Sequence, residues 1–191
     1  DIIRKWENKL TGWRSSTDMG QSYAINEGIE LGNAPFVCWL NSDDWLLPAS
    51  LGHLLKELLE NPHIPAVYGR SWNFKQSNGK TTPVWVEPFS VNRLALRCII
   101  SQPATLIRRS VWNAVGGVDN SLDMAMDYDL WWKIFKKFGE LKFLDKYIAV
   151  NRIHKQTKTN KERSRHYNEA IKIVRKYHGS VPIKWWLAQP Y

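Results

Sequence analysis

No stretch of this sequence holds the ~18 consecutive apolar residues that a membrane-spanning helix needs, and no charged-then-apolar leader opens it. The chain starts at Asp1 without a methionine, which leads us to expect a fragment whose targeting signals could lie upstream. Cysteine is scarce. Cys38 and Cys98 stand far apart in apolar surroundings, which excludes a spaced disulfide framework or a cysteine-based zinc site and reads as two small core residues in a reducing compartment. Internal repeats and low-complexity segments are also absent. Acidic residues are outnumbered, 18 against 27 basic, and the net charge of +9 favours phosphates, nucleic acid or anionic lipid without choosing among them. What is plentiful is tryptophan, eleven in 191 residues, whose faces serve packing, sugar stacking or base stacking alike. At 43% hydrophobic, the chain is long enough for one domain with a real core.

Apolar residues Ala24, Ile25, Gly28, Ile29 and Leu31 recur at helical spacing over 20–32, and Gly32 is a natural stop. Phe36 to Leu40 is a short continuous apolar run, as in a strand buried on both faces. A helix is predicted from Pro48 to about Glu60, burying Leu51, Leu54, Leu55, Leu58 and Leu59. Ala66 to Phe74, a Ser77-Asn78-Gly79-Lys80 turn and Thr82 to Val86 spell a hairpin. Short elements follow at 90–98 and 103–108. Helices are expected over Ser110 to Val115, stopped by Gly116-Gly117, over Ala125 to Phe138, and over 161–178, with a strand over Leu141 to Ile153 between the last two. The alternation is that of an α/β fold with an antiparallel hairpin added to its sheet.

The apolar run at 36–40 ends in Asn41-Ser42-Asp43-Asp44-Trp45, and ligands of open α/β sheets bind beyond the carboxyl ends of strands. Neighbouring carboxylates on extended backbone point opposite ways, so one can hold a divalent ion on a diphosphate while the other addresses a ribose hydroxyl. The plainer reading is a solvated turn capping the helix near Pro48. Asp18 and Gln21 can likewise cap the helix at 20–32, Asp127 and Asp129 can favour the positive end of theirs, and Arg152, His154, Lys155 and Lys158 can form a solvated basic loop.

Six blocks in order weigh against these plainer readings. They are Asp18-Met19-Gly20-Gln21-Ser22-Tyr23-Ala24-Ile25-Asn26-Glu27-Gly28, Asn41-Ser42-Asp43-Asp44, Gln102-Pro103-Ala104-Thr105, Val115-Gly116-Gly117-Val118-Asp119, Met126-Asp127-Tyr128-Asp129-Leu130-Trp131 and Arg152-Ile153-His154-Lys155-Gln156-Thr157-Lys158-Thr159. Together they resemble the family 2 glycosyltransferases over residues 13 to about 160. The resemblance implies the three-layer mixed sheet of the A-type nucleotide-sugar fold, here without its first strands. Residues 1–178 would form the partial catalytic domain, and 179–191 a tail.

It further implies that Asp44 and His154 bind Mn²⁺ or Mg²⁺, and that Asp18, Gly20, Gln21, Asp43, Arg152 and Lys155 face a nucleotide-sugar donor. Asp127 would be the base of an inverting transfer to a glycan or lipid-linked hydroxyl. The family often has Glu before that Asp; Met126 stands here, which puts acceptor recognition in question more than the base. Asp129, two positions on, is expected to be structural. Trp39 and Trp132 are expected in the core; Trp45 and Trp131 lie next to the proposed site, where they could stack on sugar but are not assigned that role. The tail Val181 to Leu187 is expected on the surface, where peripheral contact with a membrane would suit a lipid-linked acceptor, the alternative being a tail packed on its own domain. The setting implied is bacterial cell-surface polysaccharide synthesis, cytoplasmic or at the inner face of the plasma membrane. A sugar-nucleotide nucleotidyltransferase, a non-catalytic glycan binder and a nucleic-acid-binding module are the rivals. Acidic residues at the strand end and dispersed cations argue against nucleic acid.

Overall fold

The computed structural model of the chain describes residues 2–154, 157 and 162–188; Lys155 and Lys158 lie outside them. The elements run α1 (Ile2–Trp6), a 3-10 turn, α2 (Gln21–Glu30), β1 (Phe36–Val37), β2 (Trp45–Leu46), α3 (Ser50–Glu60), β3 (Ala66–Lys75), β4 (Lys80–Pro83), α4 (Val91–Leu96), a second 3-10 turn (Gln102–Ala104), β5 (Thr105–Arg108), α5 (Arg109–Val115), α6 (Met126–Phe138), β6 (Lys142–Ile153), α7 (Arg163–His178) and α8 (Ile183–Leu187). Six strands form one mixed sheet in the order β1-β5-β3-β6-β2, with β4 on the far half of β3. Among the described residues only the central pair, β3 and β6, is parallel. Its register shifts at Gly69, Arg70 and Ser71. Such irregularities re-aim the residues beyond them, and here Asn73 comes opposite Asn151 at the strand ends.

Two apolar layers cover the sheet. The larger gathers Leu94, Leu130, Trp131, Trp132, Ile134 and Val174, from α4, α6 and α7. The smaller lies under α3, where Leu54 and Leu58 meet Val67, Leu106 and Ile148. The predicted five-leucine face of α3 is narrower in fact: Leu51, Leu55 and Leu59 are exposed. One seam of i and i+4 residues is all that a single helix lays on this part of the sheet. The helix also starts later than Pro48, behind Ala49 at φ 62, and the Ser50 hydroxyl donates to Ile148 O at 2.7 Å.

The predicted strand 36–40 is shorter as well. Only Phe36 and Val37 pair with β5, opposite Arg108 and Ile107, and the chain leaves the ladder before Leu106 and Thr105. A side chain holds the departing segment: Gln102 Nε2 donates to Trp39 O at 2.7 Å. The hairpin forms, but its second strand is Lys80–Pro83 rather than Thr82 to Val86, with β3 and β4 in register from Trp72–Pro83 to Lys75–Lys80. The tail departs from a purely surface role. Trp185 is 7% exposed, packs against Tyr128 and Tyr167, and donates its Nε1–H to Ala95 O at 2.7 Å, while Ile183, Trp186 and Leu187 stay exposed.

Candidate active site

A cleft of about 760 Å³ opens where β3 and β6 end, and it brings Gln21, Asp43, Asp44, Asp127, Arg152 and His154 together. Asp18 and Gly20 do not line it; they support Gln21 from outside.

One wall is the segment Asn41–Asp44, a turn rather than the end of an extended strand, since the Asp44 N–H donates to Asn41 O at 3.1 Å. Asp44 Oδ1 accepts the Arg152 N–H at 3.0 Å, and Oδ2 accepts Asn41 Nδ2 at 3.1 Å. Asn41 Oδ1 in turn takes Gln21 Nε2 at 3.1 Å. The turn is thereby tied to both α2 and β6. Burial raises the Asp44 carboxyl above the ordinary carboxylate range, against those two hydrogen bonds and with further push from the Asp43 charge. Asp43 Oδ2 lies 2.9 Å from His154 Nε2, and the His154 N–H is fixed by Thr157 Oγ1 at 2.9 Å.

Gln21 owes its place to Gly20. There φ is +112, a conformation that side chains resist, and the Gly20 N–H donates to Asp18 Oδ1 at 2.9 Å. Asp18 therefore shapes the turn before α2, close to the capping role that its spacing allows.

Asp123, Met124, Met126 and Asp127, at and just before the start of α6, also line the cleft. Asp127 Oδ1 accepts the Tyr128 N–H at 2.8 Å. Burial raises its carboxyl, opposed by that N–H and by nearby His166. Asp129, by contrast, is buried away from the cleft, accepting the Tyr177 hydroxyl at 3.0 Å with Lys133 Nζ at 3.1 Å. It is structural, as expected.

The segment leading to α6 is clamped from α2. The Asn26 side chain accepts the Val118 N–H at 3.1 Å and donates to Val118 O at 2.9 Å, and Ser22 Oγ donates to Leu122 O at 2.6 Å. Gly117 makes the close approach available: φ is +63, and a Cβ there would fall 2.4 Å from Asn26 Oδ1.

Trp132 is buried in the core as expected, whereas other tryptophans are placed differently. Trp131 is fully buried and cannot meet a ligand. Trp45 is covered by the Arg152 guanidinium, 5.6 Å from its ring centroid, and by the edge of Phe74. Trp39, predicted as core, lines the cleft and is backed by Trp112 and Trp131 at centroid distances of 5.8 and 6.3 Å. Its exposure follows from the early end of β1, which frees residues 38–44 to form the wall. Sequence reasoning gave no role to Asn41, Gln102 or the Asn73–Asn151 pair of the cleft, although Asn41 and Gln102 stand in the quoted blocks.

Among the described residues no three His, Cys, Asp or Glu side chains gather into a metal cage. Asp43, Asp44 and His154 offer a partial set on one wall. Hard oxygens of this kind suit a divalent ion that completes its shell from phosphate oxygens and water, so the residues fit such an ion in company with a diphosphate. Among the described residues no helix is long and apolar enough to cross a membrane.

The sequence pattern described as Glycosyl transferase family 2 matches residues 1–115. The chain is 25% identical over 182 residues to the chondroitin synthase of Escherichia coli, a match covering 92% of this chain and 26% of the synthase. Its backbone resembles S. aureus TarS 1–349 in complex with UDP-GlcNAc, with TM-score 0.71 and 16% identity over 97% of this chain and 55% of that one. It also resembles the mannosyltransferase PcManGT from Pyrobaculum calidifontis in complex with GDP-Man and Mn²⁺, with TM-score 0.65 and 16% identity over 96% and 52%. The chain spans about half of those solved chains, and 14% to 26% of the chondroitin and hyaluronan synthases it matches.

Proposed function

The chain belongs to glycosyl transferase family 2 and has the A-type glycosyltransferase fold, and from that premise we propose that it moves a sugar from a nucleoside diphosphate donor to an acceptor hydroxyl with inversion. The observation that carries this reading is that the Asn41–Asp44 turn and Asp127, from distant parts of the sequence, line one cleft. The donor's nucleotide lies on the Gln21, Asp43 and Arg152 side. Asp44 and His154 would hold a divalent cation, which would supply positive charge to the diphosphate.

Asp127 takes the proton of the acceptor hydroxyl as its oxygen attacks the anomeric carbon. Attack comes from the face opposite the bond that breaks to the diphosphate. A carboxyl raised by burial is the stronger base for this step. Trp39 gives the cleft an apolar aromatic wall suited to a sugar ring. The acceptor is a glycan or a lipid-linked saccharide. The likeness to chondroitin and hyaluronan synthases supports a glycan acceptor, and the setting proposed with it is cell-surface polysaccharide assembly on the cytoplasmic side of the membrane. Exposed Ile183, Trp186 and Leu187, next to Lys184, make the contact with that membrane.

UDP-GlcNAc and GDP-mannose, each incubated with the full-length protein and Mn²⁺, give the first test. Release of UDP or GDP that EDTA abolishes supports the reading. Tight binding of both without release, even with saccharide acceptors, contradicts it and favours a glycan- or nucleotide-binding role.

A further inference from the structure

The start of α6 carries Asp127, and the residue that opens this helix, Ala125, has no side chain to cap it. The backbone N–H groups just before it converge on a carboxylate from another helix. Glu169 of α7 accepts from Asp123 N at 3.3 Å through Oε1, and from Met124 N at 2.9 Å and Ala125 N at 3.0 Å through Oε2. Glu169 is 9% exposed and is the one acid in the helix Arg163–His178. Arg165 holds it from the solvent side, with Nε 3.5 Å from Oε1, and pairs with Asp123 as well.

We propose that Glu169 is a positioning residue for the candidate base, fixing the wall Asp123–Asp127 at the height the acceptor hydroxyl requires. The proposal rests on the assignment of Asp127 as that base. Charge-assisted hydrogen bonds to consecutive amides are directional. They fix the last residues before the helix, just beyond Leu122, which Ser22 of α2 holds.

Attaching α7 to the domain does not depend on Glu169. Ala170, Ile171, Ile173 and Val174 are buried in the main core, and Tyr177 bonds Asp129. Loss of the carboxylate therefore frees the start of α6 rather than the helix that carries it. A displacement of about 1 Å at a reacting group costs roughly a hundredfold in rate.

The test compares Glu169→Ala and Glu169→Gln in the full-length protein, using whichever of UDP-GlcNAc and GDP-mannose is turned over, with amide hydrogen exchange alongside. Glu169→Ala should lower kcat by roughly a hundredfold with donor KM within about twofold. Exchange at Met124 and Ala125 should quicken at least about tenfold, as expected when a buried N–H loses its acceptor. Glu169→Gln should recover most of the rate, because one amide oxygen can serve both Met124 and Ala125.

In an Asp127→Asn background Glu169→Ala should cost almost nothing more, since it acts through the lost carboxylate. Wild-type kcat in Glu169→Ala, a full additional loss in the Asp127→Asn background, or unchanged exchange at Met124 and Ala125 overturns the proposal. That last readout holds even if neither donor is turned over. Near-normal turnover in Asp127→Asn removes the base assignment itself, whereas an inactive Asp127→Asn beside a fully active Glu169→Ala removes only the role of Glu169.

Discussion

His154 Nε2 lies 2.9 Å from Asp43 Oδ2, joining the end of β6 to the Asn41–Asp44 turn across 111 positions of sequence. With the Arg152 N–H on Asp44 beside it, this makes the acidic wall of the cleft a product of two distant segments. Perturbing either segment should be felt by donor and metal together.

Asp44→Asn is expected to keep the Arg152 or the Asn41 hydrogen bond and to lose one anionic oxygen. Apparent Mn²⁺ and donor affinities should both fall, by roughly tenfold to a hundredfold, and excess Mn²⁺ should restore part of the activity. Titration of activity against Mn²⁺ at fixed donor measures it. Loss of turnover with unchanged Mn²⁺ dependence would place the cation elsewhere.

Asp127→Asn should stabilise the fold at neutral pH. Burial raises the carboxyl above its value of about 3.9 in an unfolded chain. Between those two values the folded state binds the extra proton, so this group's contribution to stability falls as pH rises and stays unfavourable above both. The substitution removes that cost. Its gain should be full at pH 7, shrink as pH drops through the raised folded value, and vanish below about pH 3.9. Each ~1 kcal/mol gained appears as roughly 2–4 °C in Tm for a domain of this size. Thermal melts of both proteins at several pH values check the sign, and a lower Tm for the variant at pH 7 contradicts it.

Gly117 and Asn26 should fail as a pair. Gly117→Ala puts a Cβ at positive φ against Asn26 Oδ1, a strain of about 1–3 kcal/mol. Asn26→Ala strands the Val118 N–H and C=O at a similar cost of about 1–3 kcal/mol. Because the methyl that Gly117→Ala adds would clash with the same atom that Asn26→Ala deletes, the double variant should lose less stability than the two single losses added. Denaturant melts of the three variants measure the coupling; strict additivity counts against the clamp.

Adjacent tryptophans of the tail should separate cleanly. Trp185→Ala empties a core site and strands Ala95 O, costing about 3–5 kcal/mol. Trp186→Ala, at an exposed ring, should stay within about 0.5 kcal/mol while weakening binding to anionic vesicles. Equal destabilisation by both, or vesicle binding untouched by Trp186→Ala, would refute this division.

Periodicity made the hairpin, α6 and β6 legible, because each buries a face at its own repeat. It overstated α3 and β1, where the number of buried leucines and the length of pairing depend on how much sheet lies opposite. The acidic pair, Asp127 and His154 were legible as residues through ordered blocks. Their mutual placement was not, because it runs through backbone groups such as the Arg152 N–H and amide side chains such as Asn41, which carry no pattern. Glu169 is the extreme case: a single acid in a basic helix says nothing until the fold lays it against residues 123–125. Trp39 and Trp131 exchange their expected places for a similar reason, since the sequence cannot show where β1 leaves the sheet.

The most direct measurement is turnover by full-length Asp127→Asn beside wild type, with donor binding followed on the same samples. The asparagine keeps the shape but cannot accept the acceptor's proton. A base at Asp127 predicts a kcat about a hundredfold to ten-thousandfold lower, with donor and Mn²⁺ affinities within about threefold of wild type, and an acid limb in the wild-type kcat profile above the ordinary carboxylate value of about 3.9. An Asp127→Asn protein that turns over at near the wild-type rate would contradict it and leave Asp127 a support for its helix.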